Sequence, residues 1–285
     1  ASSMPPLRLE RVSYFFSPAL EKQLPCPIDV ICETDAAIQQ AATAVGRVQI
    51  TTSAGATITC SGSLLEAPAT PEQEGYFLSA QHCFRTPFSA SAVEVIWDFR
   101  AATCGAADPP LASLPRSRGI QMLATDALLD FAFMELNNVP VGALGRAYLG
   151  WNLQRAAVGD AVVGIHHPRG TSMKLAFGNI TVTNVSSILN RNQNEINWLQ
   201  GITEGGSSGS PALYADDLTL SGVLSNGNVH TCGRPELNFD NYGSFPDFYP
   251  AIACYLEPTA ACEPTGGGLA CAAKSAFGEG SQIVT

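Results

Sequence analysis

Gly205-Gly206-Ser207-Ser208-Gly209-Ser210-Pro211 is a glycine-rich turn built around a pair of serines. Two upstream runs give it meaning: Leu78-Ser79-Ala80-Gln81-His82-Cys83 and Asp130-Phe131-Ala132-Phe133-Met134-Glu135-Leu136. A serine hydroxyl is a poor nucleophile near neutral pH. It needs a base beside it, and the base needs its tautomer fixed by a third group. The three runs offer a hydroxyl, an imidazole and a carboxylate in the chain order His, Asp, Ser. The attacked carbonyl also needs donors aimed at its developing oxyanion. A tight glycine-rich turn supplies them as backbone N–H groups, because glycine reaches backbone angles other residues avoid.

The composition fits such a scaffold. The chain has 285 residues, of which 46% are hydrophobic and only 14% charged, with 26 glycines and 19 prolines. It is long enough for one large domain or two β-barrel subdomains, and it is turn-rich. A formal net charge of −10 argues against nucleic acid and anionic membrane surfaces as partners. Nine cysteines point to an oxidising compartment, and the odd count leaves one unpaired within the chain. No apolar run is long enough to span a bilayer. No signal peptide is visible at Ala1, so the chain reads as already processed.

Prolines 5, 6, 18 and 25 break up residues 1–25, which read as an N-terminal extension. Cys26-Pro27-Ile28-Asp29-Val30-Ile31-Cys32 looks like a pair of disulfide anchors rather than a metal site, since no third ligand lies nearby. Thr34 or Asp35 caps a predicted helix over 36–45, closed by Gly46. From there β signals dominate. Arg47–Thr52, Thr57–Leu65, Tyr76–Ala80, Val93–Phe99, Gln121–Thr125 and Phe131–Leu136 form one group. Ala161–Ile165, Phe177–Thr183, Glu195–Leu199, Pro211–Tyr214 and Leu218–Leu224 form another. Many short strands and few helices predict an all-β sandwich or barrels over 26–255. Residues 256–285 read as a Gly/Ala/Pro-rich tail.

Each motif has a plainer reading beside the chemical one. His82 alone would be an ordinary loop histidine; a disulfide from Cys83 to Cys60 would fix the loop that presents it. Aspartate is depleted in strands, so Asp130 at a strand entrance wants a reason, with Asp126 as the competitor. Ser208 competes with Ser207 and Ser210. Gly205–Gly209 also matches G-x-S-x-G with Ser207 as an esterase elbow, but that fold wants an acid and then a histidine after the serine, in a doubly wound chain. Only Asp216 and Asp217 stand between this serine and His230.

At these residues the chain resembles the chymotrypsin-fold serine proteases. Gln81-His82-Cys83 is similar to their A-H-C, Asp130–Met134 to D-[IL]-A-L-L, and Gly206–Pro211 to G-D-S-G-G-P. It resembles the bacterial lysyl endopeptidases more closely. Cys26–Cys32 is similar to their C-N-I-D-V-V-C, Asp130–Asn138 to D-F-T-L-L-E-L-N-N, His166-His167-Pro168 to H-H-P, and Thr203–Pro211 to T-E-P-G-S-S-G-S-P. The resemblance implies two six-stranded antiparallel β-barrels with the site in the cleft between them. It implies His82 as base, Asp130 as its orienter, Ser208 as nucleophile, and the N–H groups of Gly206 and Ser208 as oxyanion hole. It also implies disulfides Cys26–Cys232, Cys32–Cys104 and Cys60–Cys83, with Cys254, Cys262 and Cys271 outside that pattern.

Asp240-Asn241-Tyr242-Gly243 is similar to the family's D-Q-Y-G, whose aspartate lies at the base of the pocket for the side chain before the cleaved bond. The plain alternative is a surface turn. Thr203, Ser225 and Gly227 complete the substrate-binding set that the resemblance implies. Leu224-Ser225-Asn226-Gly227 stands where the lysyl enzymes have L-H-G-G. Ser225 instead resembles the serine of the S-W-G segment of general chymotrypsin-fold enzymes, which pairs with the substrate backbone. No catalytic role is assigned to His166 and His167; a histidine pair before proline reads as a packed turn. The expected protein is a secreted, monomeric endopeptidase acting on protein or peptide substrates after Lys or Arg, without cofactor or metal. A serine esterase and a protease-like binding module are the alternatives.

Overall fold

The structure is a computed structural model and describes residues 26–67, 75–85, 88–187, 191–228, 231–257, 262–265 and 268–271. The readings made for residues 1–25 and for most of the tail lie outside these. The expected strands form in both groups, together with three that were not expected, over 28–29, 116–118 and 239–244. The first comprises β1 (Ile28–Asp29), β2 (Val45–Thr52), β3 (Thr57–Leu64), β4 (Tyr76–Ser79), β5 (Phe88–Ile96), β6 (Arg116–Arg118), β7 (Ile120–Asp126) and β8 (Phe131–Leu136). The second comprises β9 (Ala161–His166), β10 (Lys174–Val185), β11 (Gln193–Gln200), β12 (Pro211–Tyr214), β13 (Leu220–Gly227) and β14 (Phe239–Ser244).

Strands β10, β11, β14, β13, β12 and β9 pair in that order, and β9 pairs back to β10, so six antiparallel strands close a barrel; β1 adds to β10 from outside. The N-terminal sheet runs β6-β5-β2-β3-β4-β8-β7. It curls, but no pairing among the described residues closes it. The chymotrypsin-like double-barrel architecture is borne out, with one closed barrel and one curled sheet.

One apolar cluster joins the two halves, running from Val48, Phe77 and Phe133 of the first to Ile165, Leu175 and Leu220 of the second. A smaller one, with Trp198 and Tyr242 edge to face, fills the second barrel. Cys26–Cys232, Cys32–Cys104 and Cys60–Cys83 are all bonded, and Cys254 is also in a disulfide. Inside the expected tail, β15 (Cys262–Thr265) and β16 (Gly268–Cys271) form a hairpin that lies against β7.

The predicted helix is shorter than its sequence suggested. Asp35 caps it by accepting from Ala37 N and Ile38 N, but α1 spans only Ala36–Ala41. Val45 and Gly46 already belong to β2, opposite Ser63 and Gly62 of β3. Strand pairing there wins over helix propensity.

Candidate active site

His82 sits on a one-turn 3-10 segment, Gln81–Phe84, directly after β4. The Cys60–Cys83 disulfide ties that turn to β3. Asp130 is the residue before β8, buried and at φ +55°. Aspartate tolerates this left-handed conformation better than most residues. It turns the carboxylate back toward the 3-10 turn. Asp130 Oδ1 accepts from His82 N at 2.9 Å, and Oδ2 lies 2.8 Å from His82 Nδ1. Ser225 Oγ donates to the same Oδ2 at 2.5 Å. An ionised carboxylate can only accept, so the ring proton belongs on Nδ1 and Nε2 is left as the base. The competitor Asp126 is spent locally: its Oδ1 accepts from Leu128 N and Leu129 N in a turn.

The three candidate serines separate by burial. Ser207 and Ser210 are fully buried, whereas Ser208 is only half-buried. Ser207 Oγ accepts from Glu204 N at 3.1 Å and lies 2.8 Å from His166 Nδ1, so it is engaged inside the protein. Ser208 O accepts from Ser61 N of β3 at 2.8 Å. Gly209 has φ +83°, and a Cβ there would lie 2.2 Å from Ser79 Oγ and 2.7 Å from Ala80 N. Only glycine lets the serine loop rest against the segment that carries His82.

Around Ser208 the backbone amides divide into two sets. Ser207 N, Gly209 N and Ser210 N donate to Glu204 O, Leu224 O and Ser207 O. Gly206 N and Ser208 N donate to no group among the described residues. Two unused N–H groups flanking a serine are the donor pair an oxyanion requires.

Asp240 lies on β14, opposite Ile196 of β11 and Gly227 of β13. It is 3% exposed, and its Oδ2 accepts from Trp198 Nε1 at 2.6 Å and from Thr203 Oγ1 at 2.5 Å. Its other oxygen faces Gly227, where a Cβ would come within 1.7 Å. Ser225 and Gly227 lie on one strand, the first against Asp130 and the second against Asp240. That strand therefore links Asp130 to Asp240.

His166 and His167 are both buried. His167 Nδ1 lies 3.0 Å from Thr171 O and the ring stacks on Phe99. Burial pushes its pKa down to about 3, with Arg47, Arg100 and Lys174 adding to the effect. It is a packed neutral histidine. Cys60, His82 and Cys83 come within metal-binding distance of one another, but both sulfurs are bonded to each other. The sequence did not point to Trp198 or Ser61. A buried indole N–H needs an acceptor, but nothing local names Asp240 as that acceptor.

Solved structures with this architecture include the Rv3671c protease of M. tuberculosis, with TM-score 0.58 and 13% identity over 94% of this chain and 98% of that one. An HtrA-type protease, AlgW, solved with a tripeptide, gives TM-score 0.54 and 16% identity over 81% of this chain and 68% of that one. At such identities the likeness is one of fold. Among curated proteins, a lysyl endopeptidase of Pseudomonas aeruginosa is 32% identical over 243 residues, 82% of this chain and 52% of the relative. Secreted RxLR effector protein 73 of Plasmopara viticola is 27% identical over 75% of this chain, again 52% of the relative. The chain thus spans about half the length of the curated relatives it matches. The family model for the lysyl endopeptidase C-terminal domain matches residues 20–243, and the chain belongs to that family.

Proposed function

We propose that the protein is a secreted serine endopeptidase that cleaves peptide bonds after Lys or Arg through an acyl-enzyme on Ser208. The observations that carry the reading are an oriented imidazole, His82 on buried Asp130, and, on the loop that rests against the His82 segment, a half-buried serine beside two amides with no acceptor among the described residues. Ser208 Oγ attacks the carbonyl carbon while His82 Nε2 takes its proton. The carbonyl oxygen becomes an oxyanion held by Gly206 N–H and Ser208 N–H. His82 then gives the proton to the leaving amine as the C–N bond breaks, and water repeats the sequence on the ester. Asp130 stays ionised and stabilises the imidazolium; Ser225 helps to hold it.

The specificity rests on Asp240. A buried carboxylate, held in place by Trp198 Nε1 and Thr203 Oγ1, is the group that would pair with a cationic substrate side chain. β13 pairs with β12 only up to Val223, while its pairing with β14 continues to Gly227. β12 does not extend along Asn226 and Gly227, and a substrate strand would add to this end of β13. Three disulfides support a compartment outside the reducing cytosol, and no helix among the described residues is long and apolar enough to cross a membrane.

The test is a fluorogenic amide panel varied only before the cleaved bond (Lys, Arg, Glu, Leu, Phe), with matched esters and a Ser208→Ala control. Cleavage after Lys or Arg, lost in the variant, is expected. Turnover of esters alone would replace the peptidase reading with an esterase.

A further inference from the structure

The motif His166-His167-Pro168-Arg169-Gly170 takes no part in the chemistry just described, yet it lies against the turn that carries the oxyanion donors. Gly205 and Gly206 are successive glycines. A Cβ on Gly205 would meet nothing within 4 Å, and Gly206 has φ +97°. The peptide plane between two such residues meets little steric resistance to rotation. In a trans peptide, C=O and N–H point in opposite directions. Rotating this plane would aim Gly205 O where Gly206 N–H now points and would abolish the hole.

The 166–170 turn contacts this loop at several successive points. Arg169 N donates to Gly205 O at 2.6 Å. Arg169 Nε pairs with Glu204 Oε1 at 2.8 Å. His166 Nδ1 meets Ser207 Oγ at 2.8 Å. His167 N donates to Ser61 Oγ at 2.9 Å, and Ser61 Oγ in turn donates to Gly206 O at 3.0 Å. Arg169 aims its amide this way only by adopting φ +52°, with Gly170 following at φ +67°. Arg47 Nε holds Gly170 O from the far side at 2.9 Å.

We infer that the His166–Gly170 turn is the positioning element of the oxyanion hole. Its Arg169 amide locks the 205–206 peptide with Gly206 N–H facing the reacting carbonyl, and the Arg169–Glu204 pair holds the lock closed. The inference rests on the peptidase reading for its kinetic consequence, but not for its structural one.

Three substitutions separate the parts. Gly170→Ala places a Cβ 2.9 Å from Thr59 Cγ2 and 3.0 Å from Arg47 Nη2 at a left-handed position, which displaces the turn. Arg169→Gly keeps the amide but removes the ion pair, and Arg169→Lys restores a cation. Losing one oxyanion donor costs about 10²–10³ in kcat, so a loosened donor in Gly170→Ala is expected to cost about 10- to 100-fold. For Arg169→Gly, whose side chain is 37% exposed, about 2- to 5-fold is expected, with Arg169→Lys near wild type. KM should stay within about two-fold, and affinity for a peptide aldehyde, which binds as a tetrahedral adduct, should fall in step with kcat. Unchanged kcat in Arg169→Gly, or a fall in kcat with aldehyde affinity intact, would overturn the inference. If Gly170→Ala fails to fold, Glu204→Gln replaces it with the Arg169→Gly expectation. The Gly206 and Ser208 amide shifts in a ¹⁵N–¹H spectrum give a readout that needs no turnover. If the wild type cleaves nothing, shifts that move in the variants uphold the lock while the peptidase reading falls; unmoved shifts remove the lock as well.

Discussion

Replacing Asp240 with asparagine removes one charge and changes almost no volume. Trp198 Nε1 can only donate, and Thr203 Oγ1 donates to the same oxygen. The asparagine must therefore keep its carbonyl oxygen toward these two donors and turn its NH₂ to the side now occupied by Oδ1, the side that faces Gly227. A lysine ammonium entering the pocket would then meet a donor instead of an anion. Truncating one partner of a buried, hydrogen-bonded charge pair costs about 2–5 kcal/mol. Asp240 is nearly fully buried, so screening is weak, and the middle of that range is appropriate. About 3–4 kcal/mol corresponds to a loss of about 10²–10³ in kcat/KM after Lys or Arg. The assay is the fluorogenic panel, with Leu and Phe substrates as internal controls expected to change by no more than about three-fold, since an apolar side chain makes no pair to lose. An equal loss for every substrate would mean that Asp240 supports the barrel rather than reads the side chain. No loss after Lys or Arg would remove it from the pocket altogether.

Other expectations test neighbouring parts of the account. Gly227→Ala puts a methyl into the Asp240 carboxylate and 2.8 Å from Phe239 O. At about 1–3 kcal/mol for overpacking, cleavage after Lys should fall about 10-fold or more while an organophosphonate still labels Ser208. The buried pair of Lys174 with Asp29 joins β10 to the N-terminal segment. Lys174→Met should destabilise by about 3–5 kcal/mol in urea unfolding, and adding Asp29→Leu should recover most of it, because an unpaired buried charge is the costly species. His167 is held at a pKa of about 3 by burial, against about 6.5 in the unfolded chain. Between those values the unfolded state binds one more proton, so stability falls as pH drops, by about 1.4 kcal/mol per unit from this group. Urea titrations from pH 4 to 7 should show that slope reduced by about one proton in His167→Gln.

The parts of the candidate site legible in the sequence are those whose signal is local. His82, Asp130 and Ser208 each sit in a short run with its own strand or turn signature, and Gly209 is demanded by its own backbone angle. What stayed hidden is non-local. Trp198 meets Asp240 across 42 residues and Ser61 meets Gly206 across 145; a side chain's type does not announce a partner at that distance. β14 was not predicted as a strand, because Asn238-Phe239-Asp240-Asn241-Tyr242-Gly243 is turn-rich in composition. It becomes one because β11 and β13 pair with it on both sides, a tertiary override of weak β propensity. The expected helix end failed for the same reason, with Gly46 drawn into β2. The histidine motif read correctly as a packed turn, but which loop it packs against could only come from the fold.

The central claim is that Ser208, and no other serine, is activated by His82. The most direct test is peptide mapping by mass after treating the folded protein with an organophosphonate, beside Ser207→Ala, Ser208→Ala and His82→Ala. The account predicts a single adduct on Ser208, retained in Ser207→Ala and lost in the other two. An adduct on Ser207, or none on a folded wild-type protein, would contradict it.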